Sequence, residues 1–331
     1  MYFSCIAGCT SWRDKFCHCV GIIHTNYKAY ARDHAPVGFL AAPLLAGVNS
    51  LVVQANCHRV VKLSDVLQEF APMSECIENV HGIRYAYLLE GERRRVSRSA
   101  TIGSTKQRRA YFIGKLLWAK GFDQLMKLEE SFRERTGKYL EIDVFGSGPD
   151  ECEIRRAFSG GGVYEGSSRI FTRLDSWGGE GSNNKRRSCL PVNFMGASDH
   201  LSLAGDDYSI FVNPSLTEVL CTTTAEAIAM GKWAVIPSHP SNAFFVQFPN
   251  VLLYRNRREF VSTLKYALVN DPPPLSSNLA HILSWEAATT RCVQSAALSK
   301  RDAARKERLC KAKEEKTLKK TLSGLWSGDP K

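Results

Sequence analysis

Tyr208-Ser-Ile-Phe-Val-Asn-Pro-Ser-Leu-Thr-Glu-Val-Leu-Cys-Thr-Thr-Thr-Ala-Glu-Ala-Ile-Ala-Met-Gly231 reads as a strand, a loop and a short helix. The apolar run Ile210 to Val212 is broken by Pro214, and the helix-forming run that follows stops at Gly231. A loop that leaves a strand and enters a helix presents unpaired backbone N–H groups and the positive end of a helix dipole at the carboxyl edge of a sheet, where phosphate binds well. Two carboxylates share the stretch, Glu218 in the loop and Glu226 in the helix. Carboxylates do not help a phosphate, but they accept hydrogen bonds from sugar and ribose hydroxyls, and a nucleotide sugar carries both kinds of group. On spacing alone a plainer reading stands beside this one: Thr223 and Glu226 form a capping box, and Glu218 is a solvated loop acid.

Working outward, the chain alternates strand and helix patterns. Short apolar runs at Val20–Ile23, Val60–Leu63, Ile77–Val80, Ala110–Ile113, Leu140–Phe145, Val192–Met195, Trp233–Ile236 and Val251–Tyr254 read as strands. Helical patterns occupy Phe122–Arg135, Glu259–Val269 and Trp285–Gln294, which is the order of a parallel, doubly wound sheet. In such sheets ligands gather at the carboxyl ends of the strands. That places His24, Asn26 and Tyr27 after the first strand, Gly146 in a Gly-Ser-Gly-Pro turn after another, and His239 and Asn242 after a third as candidate cleft residues. His24 there is suited to hydrogen-bond a donor or acceptor sugar, or is a satisfied structural histidine.

At 331 residues and 44% hydrophobic composition the chain can hold two buried cores. Its formal charge of +11 favours anionic partners: a nucleotide, a lipid surface or a nucleic acid. No aromatic residue is interleaved in the Arg-rich stretch Gly91–Arg109 to stack bases, so it reads as a solvated interdomain linker and no nucleic acid is expected. Eleven scattered cysteines without a Cys-x-x-Cys pair argue against a disulfide framework, and Cys17-His18-Cys19 lacks the second cluster a four-ligand metal site needs. Ala35–Cys57 carries no charge but is interrupted by Pro36, Gly38, Pro43 and Gly47, too broken for a spanning helix and equally suited to a membrane surface or a core. Ser159–Pro191, rich in glycine, reads as an insertion without function, and Ser299–Gly324, with ten basic residues against four acidic, as either a solvated helix or a membrane-facing tail.

The central stretch resembles the two-glutamate signature of family 4 retaining glycosyltransferases, which have two Rossmann-like domains facing a cleft. Within that group Tyr111-Phe-Ile-Gly-Lys-Leu-Leu-Trp-Ala-Lys-Gly121, His239-Pro-Ser-Asn-Ala-Phe-Phe245, Leu283-Ser-Trp-Glu-Ala-Ala-Thr289 and His24-Thr-Asn-Tyr27 are similar to segments of plant and algal digalactosyldiacylglycerol synthases. The resemblance implies a GT-B type α/β fold, with an acceptor-side domain and linker over residues 1–105, a nucleotide-sugar domain over 106–284 and a crossover helix with a basic tail over 285–331. It implies transfer of galactose from UDP-galactose to monogalactosyldiacylglycerol at a plastid outer envelope membrane, with peripheral membrane association and no metal. By the same resemblance Glu218 binds donor sugar hydroxyls, Glu226 the ribose, and Lys115 and Lys120 the diphosphate, where most of the family places an arginine first. The backbone amides of Val219, Leu220, Cys221 and Thr222 complete the phosphate cradle. The similarity begins late in the first domain, so that domain is expected to be incomplete here.

Overall fold

The computed structural model describes residues 18–26, 38–100, 108–160, 189–205 and 207–298, with scattered positions outside them. Two parallel sheets organise these residues. The smaller has the order β1-β2-β3, formed by Val20–Ile23, Arg59–Lys62 and Glu75–Ile77, with Ile23 opposite Lys62 and Lys62 opposite Ile77. Helix α1, Gly38–Asn56, connects β1 to β2. It runs unbroken through Pro43, which lies in its second turn, where the ring costs one main-chain hydrogen bond. Among the described residues no helix is long and apolar enough to cross a membrane.

The larger sheet has six strands, all parallel, in the order β6-β5-β4-β7-β8-β9. These are β4 (Arg109–Ile113), β5 (Ile142–Phe145), β6 (Val192–Gly196), β7 (Tyr208–Val212), β8 (Trp233–Pro237) and β9 (Val251–Tyr254). Period-two alternation divides their side chains between two cores. Ala110, Phe112, Ile210, Val212, Trp233 and Val235 pack on one face, with Phe122 and Leu125 of α3 (Phe122–Thr136) and Phe260 and Leu264 of the helix Arg257–Val269. Tyr111, Ile113, Phe211, Ala234 and Ile236 pack on the other, with Tyr87 and with Ala227 and Ile228. Burial on both faces is why these strands read as unbroken apolar runs.

The two sheets are joined through helix α8 (Trp285–Ala296), taking the helix after β3 as α2, Glu151–Phe158 as α4, Thr222–Ala229 as α5, Arg257–Val269 as α6 and Ser277–Ile282 as α7. Arg291 Nε donates to the Asn79 carbonyl at 2.6 Å and Arg59 Nε to the Ser295 carbonyl at 3.0 Å. The Ile83 amide donates to the Leu283 carbonyl at 3.0 Å, so the segment entering α8 is stitched to the segment leaving the small sheet.

Two readings are corrected. The Arg-rich stretch is not a solvated linker up to Ala100: Tyr85–Ala100 form helix α2, and a Cβ on Gly91 would lie 2.0 Å from the Ala229 carbonyl oxygen, so α2 lies directly on α5. The charge that hid this helix is spent within it, in the pairs Arg93–Glu90 and Arg95–Glu92, and in Arg94, which is buried and donates to the carbonyls of Ala204 and Gly205. The third strand lies at Glu75–Ile77, earlier than its apolar run suggested, because Glu75 turns back to accept from the Phe70 and Ala71 amides and pairs with Lys62. Of the insertion, residues 161–188 lie outside the described residues, as does most of the basic tail. The insertion's ends meet, since the Leu190 amide donates to the Phe158 carbonyl at 2.8 Å.

Candidate active site

In the large sheet the chain goes from β4 outward through β5 to β6, then returns to the other side of β4 for β7, β8 and β9. The order therefore reverses between β4 and β7, and the crevice beyond their carboxyl ends is where open α/β sheets take ligands. Gly114 and Lys115 leave β4 there. The Gly114 amide donates to the Phe145 carbonyl and the Leu116 amide to the Ser147 carbonyl, clasping this turn to the one after β5. Gly146 has φ 143°, and a Cβ on it would lie 1.8 Å from the Gly114 carbonyl oxygen, so only glycine permits the approach. Lys115 stands exposed on this rim and makes no ion pair among the described residues.

Lys120 is delivered by a 3₁₀ turn, Trp118–Lys120, ended by Gly121 at φ 85°. That turn is pinned to the loop after β7: Thr217 Oγ1 donates to the Ala119 carbonyl at 2.5 Å and Ser215 Oγ to the same oxygen at 3.3 Å. The consequence is an ion pair between Lys120 Nζ and Glu218 Oε1 at 2.5 Å, the two side chains 28% and 15% exposed. Residues 98 positions apart thus meet at the crevice. Val219, the next residue, is buried in the core of the small sheet with Ile23, Val53, Val60 and Leu63, and Leu220 touches both that core and the large sheet's.

The capping-box reading of Glu226 is not what the fold uses. Helix α5 is N-capped by Cys221, without a side-chain hydrogen bond, and Glu226 instead points to His200, whose Nδ1 lies 2.8 Å from Oε2. His200 sits in the 3₁₀ turn His200–Leu203 after β6, and its Nε2 is 2.8 Å from the Tyr111 hydroxyl. Burial pulls the imidazole pKa below its ordinary value, against the opposing pull of the Glu226 carboxylate, so it is held neutral. Glu226 keeps 19% of its side chain exposed. Neither His200 nor Tyr111 was a sequence candidate. The rule that found His24 and His239, a polar residue just past a strand's carboxyl end, also applies to His200.

The backbone amides of Val219 to Thr222 donate to no acceptor among the described residues. Thr222 is exposed, whereas Cys221 is buried with its thiol pKa pushed up by burial, then by the nearby Glu218 carboxylate. His24 is exposed at the end of β1, directly after Ile23, which shares a core with Val219. Asn26 is described beside it, and Tyr27 lies outside the described residues. His239 caps the turn Pro240–Gln247, its Nδ1 2.8 Å from Ser241 Oγ. Asn242 must be corrected as a cleft residue: it is 2% exposed and its amide donates to the Pro237 carbonyl at 2.9 Å, bracing the turn from within. Among the described residues no cluster of three His, Cys, Asp or Glu side chains is placed to hold a metal ion.

No protein-family model matches the chain. Curated relatives do. It is 38% identical over 284 residues to digalactosyldiacylglycerol synthase 1, chloroplastic, of Glycine max, covering 86% of this chain and 32% of that protein. Identity to the Arabidopsis thaliana synthase 1 is 37% over 289 residues, covering 87% and 32%. Against synthase 2 of Glycine max it is 38% over 290 residues, covering 87% and 56%. The chain thus spans about a third of one group and about half of the other. Among solved structures, Anabaena HepE in complex with UDP and glucose aligns with a TM-score of 0.53 at 14% identity, over 83% of this chain and 70% of that one. A UDP-forming α,α-trehalose-phosphate synthase from Burkholderia xenovorans aligns with a TM-score of 0.55 at 11% identity, over 84% and 67%. With two parallel sheets and these likenesses, the chain has the GT-B fold and is similar, over most of its own length, to a part of the digalactosyldiacylglycerol synthases.

Proposed function

We propose that the chain is a retaining galactosyltransferase that moves galactose from UDP-galactose to the terminal galactose of monogalactosyldiacylglycerol. The observation that carries this reading is the Lys120–Glu218 pair at the β4/β7 switch point, with Glu226 on the next helix and Lys115 on the same rim. The diphosphate takes Lys120 and Lys115 and the free amides of Val219 to Thr222 at the start of α5. Lys120 then leaves Glu218, whose carboxylate turns to the galactose hydroxyls, and Glu226 receives the ribose. As the bond from the anomeric carbon to the diphosphate breaks, positive charge grows on the sugar and negative charge on the leaving group. The acceptor hydroxyl attacks on the face the diphosphate vacates, its proton passes to the departing phosphate oxygen, and UDP is released. His24 and Asn26, at the edge of the small sheet, face the acceptor side, and the lysines supply the charge that a metal supplies elsewhere.

The acceptor is a membrane lipid, and α1 offers a surface for reaching it: the helix carries no charged residue and leaves Leu44 and Leu51 exposed. Trp12 and Phe16, also exposed, lie past its end, where the Trp12 amide donates to Asn56. Peripheral attachment to the plastid outer envelope fits this face and the chloroplastic naming of the relatives. The test is transfer of radiolabelled galactose from UDP-galactose to monogalactosyldiacylglycerol in liposomes. A two-sugar lipid is expected, and binding of UDP without any such product refutes the transferase reading.

A further inference from the structure

Glu226 can serve a ribose only if its carboxylate is held still with one oxygen available, and the residues behind it are arranged to do that. Tyr111 is fully buried on β4, with Tyr208 and Phe211 rings 5.6 and 5.5 Å away and Lys232 Nζ 5.1 Å from its own ring centre. Because the Glu226 carboxylate can only accept, the neutral His200 imidazole donates to its Oε2 from Nδ1 and accepts at Nε2. There the Tyr111 hydroxyl, its phenol pKa driven well up by burial, is the donor. The hydrogen bonds therefore run one way, Tyr111 to His200 to Glu226, and end on a single carboxylate oxygen.

The charged groups around the imidazole leave that direction intact. Asp199 is engaged by Arg84, which also meets the Tyr87 hydroxyl, and its own side chain accepts from the Leu201 amide at the start of the His200 turn. Lys232 donates to the carbonyls of Leu203 and Tyr208, and Arg94 to those of Ala204 and Gly205, fixing the segment that carries His200. Phenylalanine would fill the space among Tyr87, Tyr111 and Phe211 with no desolvation cost, so what the imidazole adds is its two hydrogen bonds.

Resting on the assignment of Glu226 to the ribose, we propose that His200 and Tyr111 are positioning residues: they tie up Oε2 and present Oε1 to the ribose hydroxyls, and so set the preference for ribo- over 2′-deoxyribonucleotides. Calorimetric Kd values for UDP and 2′-deoxy-UDP, measured on the full chain, test it. Wild type is expected to favour UDP by about tenfold or more, the size of one charge-assisted hydrogen bond. His200→Ala should shrink the ratio to about threefold or less, mainly by weakening UDP, because a loose carboxylate no longer presents its oxygen. His200→Asn, whose amide can replace the Nδ1 donor, should restore most of it, and Tyr111→Phe, which deletes one oxygen, should fall between. A merely structural role weakens both nucleotides alike and leaves the ratio unchanged in every variant, which overturns the inference. Equal binding of the two nucleotides by wild type also overturns it while leaving uridine-nucleotide binding intact. A wild type that binds neither overturns the donor-site reading together with it.

Discussion

Relative to wild type, replacing Glu129 with glutamine should stabilise the protein progressively as pH rises from 5.5 to 7.5. Helix α3 turns this carboxyl inward: the residue is 0% exposed, and among the described residues neither oxygen has a full hydrogen-bond partner, the nearby Leu140 amide opposing the effect of burial only in part. Burial pushes its pKa up from 4.5 to about 8. In the folded chain it stays protonated up to that pH, whereas in the unfolded chain it ionises from about 4.5. Between those values the unfolded state binds fewer protons, so stability falls as pH rises, by up to about 1.4 kcal/mol per pH unit. Two units then amount to roughly 3 kcal/mol as an upper figure. Glutamine copies the protonated acid and does not titrate. Half-buried His81 and His239 and buried His200, with pKa values lowered chiefly by desolvation, add the opposite slope, stability falling as pH drops below their unfolded value. They do so equally in both proteins and cancel in the difference. Urea unfolding at pH 5.5, 6.5 and 7.5 reads that difference directly. If wild type and Glu129→Gln show parallel pH profiles, the carboxyl is hydrated or paired and α3 is not seated as described.

Three further outcomes follow from the site. If Lys120 takes the diphosphate as proposed, Lys120→Gln should weaken UDP by about ten- to a hundredfold and leave uridine, which has no phosphate, almost unaffected; titration of both ligands checks it. Glu218→Gln should cut galactose transfer at least about a hundredfold while tightening UDP itself, because Lys120 no longer has a carboxylate to leave; an unchanged UDP affinity would show that the pair does not compete with donor. Gly146→Ala should lower stability by roughly 2 kcal/mol or more, since the Cβ meets the Gly114 carbonyl and φ is unfavourable; a thermal shift of less than about 1 °C would refute the close approach.

The large sheet was legible because buried parallel strands are apolar on both faces: Ile210–Val212 and Trp233–Ile236 announce themselves as uninterrupted runs. Helix α2 was not, because its i,i+3 ion pairs and the inward Arg94 give it the composition of a solvated segment. Strand-end position placed His239 and Asn242 at the right edge but says nothing of which way a side chain turns, and Asn242 turns in. The two glutamates stood out within one stretch. Lys120 was named through the resemblance, for the diphosphate, but its pairing with Glu218 98 residues on was not, and His200, 26 residues before Glu226, was not named; only the parallel topology closes these separations.

Val219 and Glu218 are neighbours in sequence with allegiances to different halves of the molecule: one side chain is sunk in the small sheet's core, the other is gripped by a lysine of the large one. A single peptide link therefore works as a tether. No hinge movement that separates the lobes can leave the Glu218 carboxylate in place, and nothing can strip that carboxylate of its lysine without altering the pull on the opposite lobe. Occupying the crevice and moving the small sheet become one mechanical event.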